Sequence, residues 1–305
     1  MIRIIFFGTP DIGLKSLEYL YNSDKIELCA VVTQPDKPAG RGNKLQPSPV
    51  KKWALEHNLP LFQPKSIRKE PEIQAQLKHF EPDFFVTFAF GQILSQEVLD
   101  IPKFETINLH ASLLPKYRGA NPIQRAIING DSQTGICTMI TELGLDCGDI
   151  CQKLVIPISD NMNCGQLWEE IAQKSPEMIE QTLVGLYEGK IKPEKQCEEG
   201  VCMANKLSKE ECLIDWSRSN KEIHNLVRGV CRSPSAYFIY NNKILKVIET
   251  QPVEGEALTG EIVSDKKDGV YIGCGEGLLK LITVKPEGKG EMSAKDWYNG
   301  ARAKL

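Results

Sequence analysis

No stretch of this 305-residue chain approaches the roughly 20 consecutive apolar residues that a membrane span requires, so the sequence gives no reason to expect one. Cysteine is present ten times but never as Cys-x-x-Cys. Cys147 and Cys151 come nearest to a ligand pair, and no second pair completes the four-ligand set usual for zinc. No metal is expected. With no secretory leader, and an apolar run starting at Ile2 that leaves no room for one, the cysteines read as reduced thiols of a cytoplasmic protein. The dinucleotide fingerprint is missing too. Gly8-Thr9-Pro10-Asp11-Ile12-Gly13 places Pro10 where a second glycine would let a pyrophosphate approach, which argues against a nicotinamide cofactor. Nor is there an excess of positive charge: 37 Lys+Arg stand against 40 Asp+Glu. The balance is uneven, however. Residues 1–205 hold 21 Lys+Arg against 26 Asp+Glu, and residues 206–305 hold 16 against 14. A mildly basic C-terminal part permits a nucleic-acid contact without demanding one.

What is present is the material of two modest domains, 41% hydrophobic and 25% charged. Residues 2–7, 27–32 and 83–88 are near-continuous apolar runs, as expected of strands covered on both faces. Helical patterns at 49–57 and 70–79 lie between them. This alternation predicts a doubly wound, mostly parallel α/β sheet of Rossmann-like type. An apolar stripe including Leu167, Ile171, Ile179 and Leu183 predicts a helix over 163–186, with Asn161 or Asn163 as its N-cap. Residues 189–200 are poor in apolar residues and rich in Lys, Glu and Pro, and read as linker. Beyond them one helix, about 220–230, precedes short alternating runs at 236–240, 243–249, 260–264, 269–273 and 278–284, which suggests a small barrel. The expected division is a domain over 1–188, a linker over 189–206 and a second domain over 207–305.

The chemistry concentrates in Asn108-Leu109-His110-Ala111-Ser112-Leu113-Leu114-Pro115 and, downstream, Gly144-Leu145-Asp146-Cys147-Gly148-Asp149. Residues 105–110 read as a strand, and its period of two puts Asn108 and His110 on one face. The alternative is a hydrogen-bonded core histidine beside a loop asparagine, with Asp146 and Asp149 as turn residues. The other histidines, His57, His79 and His224, fall in helical patterns and read as structural or surface groups. Residues 34–49 form a long polar loop carrying Lys37, Arg41 and Lys44. Structureless loops longer than about 12–15 residues are usually functional or disordered, and both readings stand.

Phe7-Gly8-Thr9-Pro10, the run from Gln34 to Gly42, Pro47-Ser48-Pro49-Val50, Ser112-Leu113-Leu114-Pro115 and Gly144-Leu145-Asp146 together resemble the methionyl-tRNA formyltransferases, from residue 2 almost to the end. Asn-x-His with Ser-Leu-Leu-Pro alone would mark only the wider folate-dependent formyltransferase group. Tyr117 stands where that family usually has Trp, Asn121 where Ala is common, and residues 232–236 lack a frequent Trp. The resemblance implies a formyl donor, 10-formyltetrahydrofolate, and an acceptor, methionine charged on initiator tRNA. It assigns catalysis to Asn108, His110 and Asp146, the folate site to Phe88, Phe90, Gly91, Ser112, Leu113, Leu114 and Pro115, and tRNA contacts to Arg41, Lys44, Lys206 and Lys209. It makes the second domain an OB-like barrel that binds tRNA, in a monomer with no metal and no membrane.

These residue types suit that transfer. Amine attack on a formyl carbon builds negative charge on oxygen and releases a proton. Asn108 supplies a neutral N–H donor. Histidine, with an intrinsic pKa of about 6.5, can donate or shuttle a proton near neutrality. Asp146 can orient an imidazole and favour its charged form. Three other readings compete: a formyltransferase for a small amine such as an amino-sugar nucleotide or glycinamide ribonucleotide, a folate-formyl hydrolase, and an RNA-binding module with a decayed site. A small acceptor, or water, needs neither the Arg41 loop nor a barrel, and an intact Asn108, His110 and Asp146 speaks against decay.

Overall fold

Apolar side chains on both faces are what Ile2–Gly8, Ile26–Val32 and Phe84–Phe88 need in order to lie in the middle of a covered sheet, and they do. The computed structural model describes residues 1–39, 44–231, 234–265 and 269–302. It comprises two compact units, one of residues 1–119, 134–156 and 168–203, the other of 120–133, 157–167 and 204–305.

The first unit is built on a seven-stranded sheet. Its order is Ile150–Pro157, Gln133–Ile140, Glu105–His110, Phe84–Phe88, Ile2–Gly8, Ile26–Val32, Leu61–Phe62. The last five pair in parallel, and Gln133–Ile140 runs antiparallel to Glu105–His110. From Ile2–Gly8 the chain builds outward to one side, then crosses back to lay Phe84–Phe88 on the other. That reversal is the point at which open α/β sheets bind ligands, in a crevice at the carboxyl ends of the two strands. Gly8 pairs with Phe88 at this edge of the sheet, and just beyond it Thr9 Oγ1 donates to the Phe90 carbonyl at 3.0 Å. Behind the crevice Phe7, Phe85 and Phe90 pack into one buried cluster.

The anticipated helices form, and two of them start on side-chain caps. Ser48 Oγ accepts the Lys51 N–H at 3.0 Å over Pro49–Glu56, with Pro49 at the first position. Asn163, not Asn161, caps Cys164–Tyr187: its Oδ1 accepts the Gln166 N–H while Gln166 Oε1 accepts that of Asn163, both at 2.9 Å. The described parts of the 34–49 segment include two short strands. Lys37–Ala39 pairs antiparallel with Lys44–Gln46, which satisfies backbone groups that a bare loop would leave to water. Arg41 lies outside the described residues. Neither Gln133–Ile140 nor the helix Pro122–Ile128 is anticipated from the sequence.

The second unit carries an antiparallel sheet ordered Tyr237–Tyr240, Lys243–Val253, Leu278–Pro286, Gly269–Gly273, Ile262–Asp265. Register shifts between Val247 and Thr250 bend its longest strand. Among the described residues no pairing joins the two outer strands, so the sheet is a half-barrel. Asn220–Gly229 seals one side with Ile223 and Val227 over Leu245, Val247, Leu279 and Leu281, and Trp297 of Ala294–Arg302 enters the same core. A Ser219–Glu222 capping box starts Asn220–Gly229.

His224 lies buried in this unit. One ring nitrogen, Nδ1, is 2.9 Å from Thr250 Oγ1, and Nε2 donates to the Asp160 carbonyl at 3.2 Å. Burial, the largest influence, holds its pKa below the ordinary 6.5; the Asp160 carbonyl opposes this. The unfolded chain therefore binds the proton first as pH falls, so the neutral histidine's contribution is complete above about 6.5 and declines below it. The wild-type melting temperature is expected to drop more between about pH 7 and about pH 5 than that of His224→Gln, which cannot titrate. Parallel pH dependences in the two proteins would contradict this.

Candidate active site

The parallel register places Thr87 opposite Asn108, and Thr87 Oγ1 donates to Asn108 Oδ1 at 2.8 Å. That contact fixes the amide's orientation. Its Nδ2 makes no hydrogen bond to protein among the described residues, and the side chain is half-buried at the sheet's carboxyl edge. Two residues on, His110 is 5% exposed and its Nε2 donates to the Tyr117 carbonyl at 2.8 Å. A carbonyl can only accept, so Nε2 carries hydrogen. The other ring nitrogen, Nδ1, faces Asp146 Oδ2 at 3.6 Å. Strand Glu105–His110 and the turn at 144–149 thus bring the three predicted residues into one unit and pair two of them.

Asp146 sits in the left-handed region with φ 48°, a conformation costing a non-glycine residue of order 1–3 kcal/mol and one that aspartate tolerates better than most. Its Oδ2 accepts the Gly119 N–H at 2.7 Å. Gly148 explains the turn's spacing: a Cβ there would lie 2.0 Å from the Ile140 carbonyl oxygen. Asp149 lies just past the turn, before Ile150–Pro157, and its carbonyl accepts the Ile140 N–H at 2.9 Å.

Ser112 to Pro115 is tied down from several directions. Ser112 is fully buried and its Oγ donates to the Lys116 carbonyl at 2.6 Å; Lys153 Nζ donates to the Leu114 carbonyl at 2.8 Å. Cys137 Sγ accepts the Leu114 N–H at 3.4 Å, and burial pushes this thiol up to about 11, so it stays protonated and unreactive near neutral pH. Leu114 is buried, while Leu113 and Pro115 are half-buried; Leu113 packs where a Cβ on Gly135 would otherwise stand. Phe88 and Phe90 are 2% and 4% exposed and belong to the core. Their rings are therefore withdrawn from solvent, and the Phe90 carbonyl also accepts from Thr9 Oγ1. The Phe90 and Gly91 carbonyls each accept from Gln34 Nε2 at 2.9 Å.

Of the basic residues, Lys44 is exposed on the short ribbon of the first unit, and Lys206 and Lys209 are exposed in the second. Sequence reasoning missed Thr87, the Tyr117 carbonyl, Lys153 and Gln196. Only Thr87 left a signal, as the one hydroxyl in the apolar run 84–88. Gln196 donates through Nε2 to the carbonyls of Asp146 and Gly148, both at 2.8 Å, from within the stretch read as linker.

Residues 2–183 match the formyl transferase family, and residues 206–302 match the family described as formyl transferase, C-terminal domain. A methionyl-tRNA formyltransferase of Clostridium perfringens is 44% identical over 301 residues, covering 98% of this chain and 97% of its own. One from Pseudomonas fluorescens is 43% identical over 304 residues, covering 100% and 95%. Among solved structures, an N-formyltransferase from Helicobacter canadensis in complex with folinic acid and dTDP-3-aminofucose superposes with a TM-score of 0.66 at 18% identity, over 92% of this chain and 99% of its own. HypX from Aquifex aeolicus in complex with tetrahydrofolic acid gives 0.64 at 17%, over 97% of this chain and 46% of its own. At such identities these two likenesses concern the fold alone.

Proposed function

The chain belongs to the formyl transferase family, and from that premise we propose that it is a methionyl-tRNA formyltransferase, moving the formyl group of 10-formyltetrahydrofolate to the α-amine of methionine on initiator tRNA. The observation that carries the reading is continuity: relatives of that name align across both parts of the chain at more than 40% identity. A small-amine acceptor leaves the second unit and the 34–49 arm without a task.

The folate supplies the formyl carbonyl. In this reading the half-buried loop Ser112–Pro115, with the backbone at Phe88, Phe90 and Gly91, receives its ring, apolar side chains covering the faces and backbone groups meeting the edges. Asn108 offers Nδ2 to the oxygen that gains charge as the amine adds. With Nε2 committed to Tyr117, His110 exchanges protons through Nδ1, the nitrogen facing Asp146. The proton lost by the amine is taken up at His110 Nδ1, beside the Asp146 carboxylate, and passes to the folate nitrogen as that nitrogen's bond to the formyl carbon breaks. The first unit performs the chemistry, and the second, with Lys206 and Lys209, binds tRNA. The protein works as a monomer in the cytoplasm, where charged tRNA is found.

The test is formyl transfer from 10-formyltetrahydrofolate to Met-charged initiator tRNA beside Met-charged elongator tRNA. Transfer to the initiator alone is expected; transfer to neither, with folate still bound, moves the assignment to a small amine. Arg41→Leu is expected to lower kcat/KM for tRNA about tenfold, the worth of one charge-assisted contact, without changing KM for folate. Unchanged steady-state constants would remove Arg41 from the tRNA interface.

A further inference from the structure

Gln196 stands in a stretch whose composition suggests nothing beyond a connection. Its surroundings are more specific. A side-chain amide has two donor hydrogens and two acceptor lone pairs, and this one uses all four. Nε2 donates to the Asp146 and Gly148 carbonyls, both at 2.8 Å; Oε1 accepts from Arg118 Nε at 3.1 Å and Nη2 at 2.7 Å. We infer that Gln196 is a positioning residue for the reaction, holding the Asp146 turn in the conformation that sets its carboxylate against His110. The inference rests on the reading of Asp146 and His110 as catalytic.

Three further observations support it. The segment is anchored on either side of Gln196: Glu194 exchanges both backbone hydrogen bonds with Ile150, at 2.8 and 2.9 Å, and the Cys202 carbonyl accepts the Arg118 N–H at 3.0 Å. The amide therefore arrives in a fixed register. Asp146 is gripped at both ends, its backbone carbonyl by Gln196 and its carboxylate by the Gly119 N–H, next in sequence to Gln196's other partner, Arg118. And Asp146 is held at φ 48°, which neighbouring bonds must maintain. Release of the carbonyl lets the turn relax and widens the 3.6 Å separation from His110 Nδ1. Tyr117, whose carbonyl orients the same imidazole, donates its N–H to Cys202 Sγ at 3.2 Å, so one segment of chain steadies both partners.

The experiment is a double-mutant cycle on formyl transfer. Gln196→Met removes every hydrogen bond at similar length, and is expected to lower kcat about 10–100-fold, as loss of an orienting partner does, with KM for folate and the melting temperature little changed. Asp146→Asn should cost more. In the Asp146→Asn background, Gln196→Met should cost almost nothing further, because its effect passes through Asp146. Losses that multiply, or a wild-type kcat for Gln196→Met beside an impaired Asp146→Asn, would overturn the inference while leaving the catalytic reading in place. Wild-type turnover of Asp146→Asn would instead overturn that reading. If Gln196→Met does not fold, Gln196→Glu enters the same cycle: it keeps the Arg118 acceptor and presents oxygen to two carbonyls, so the same non-additivity is expected.

Discussion

Alanine at His110 is expected to lower kcat by about 10²–10⁴, the usual worth of a positioned proton-transfer group, while KM for folate stays within a few-fold. The separation follows from geometry. His110 is buried beneath the loop, bonded to the Tyr117 carbonyl and facing Asp146, and its ring nitrogens are directed at protein acceptors. Truncation deletes the site of proton exchange and leaves the Ser112 and Leu114 anchors intact. Single-turnover and steady-state rates on Met-charged initiator tRNA, beside folate affinity measured by fluorescence quenching, separate the two effects. Wild-type turnover in His110→Ala would remove the imidazole from the mechanism.

Asn108→Leu is expected to cost about 10²–10³ in kcat, the loss seen when one preorganised oxyanion donor is removed. The Thr87 contact makes this prediction specific. Because Thr87 donates to Oδ1, the amide offers its nitrogen toward the crevice without paying for reorientation as charge develops. Thr87→Val should therefore show a smaller loss of the same kind, in kcat rather than KM. Equal KM increases for both variants, with kcat preserved, would assign Asn108 to substrate binding alone.

Much of the fold was readable because its signals are local. Near-continuous apolar runs at 2–7 and 83–88 mark strands covered on both faces, and the stripe containing Leu167, Ile171 and Leu183 marks a helix whose cap, Asn163, stands next to its first turn. Gln133–Ile140 was not readable. It begins with polar and small residues, Gln133, Thr134 and Gly135, and is a strand because Glu105–His110 offers it an antiparallel partner. Of the candidate site, strand periodicity singles out Asn108 and His110, and flanking glycines single out Asp146. Gln196 was invisible for a physical reason. Its hydrogen bonds run to backbone atoms 48 and 50 positions earlier and to an arginine 78 positions away, and no local pattern encodes contacts of that span. Phe88 and Phe90 show the converse: aromatic residues at the end of a strand invite a stacking role, yet their rings lie buried in the core.

The way the chain divides between its two units bears on its birth at the ribosome. Pro122–Ile128 packs against Asn220–Gly229, and Arg228 reaches the carbonyls of Ser159 and Met162 at 3.3 and 2.8 Å. Those early segments leave the exit tunnel well before the helix that receives them. Folding of nascent chains proceeds from the N-terminus, yet here residues 120–133 and 157–167 must wait, part of their apolar surface uncovered, until synthesis has passed residue 230. A nascent chain arrested before that point would carry the strands of the central sheet and two segments still lacking the helix they pack against.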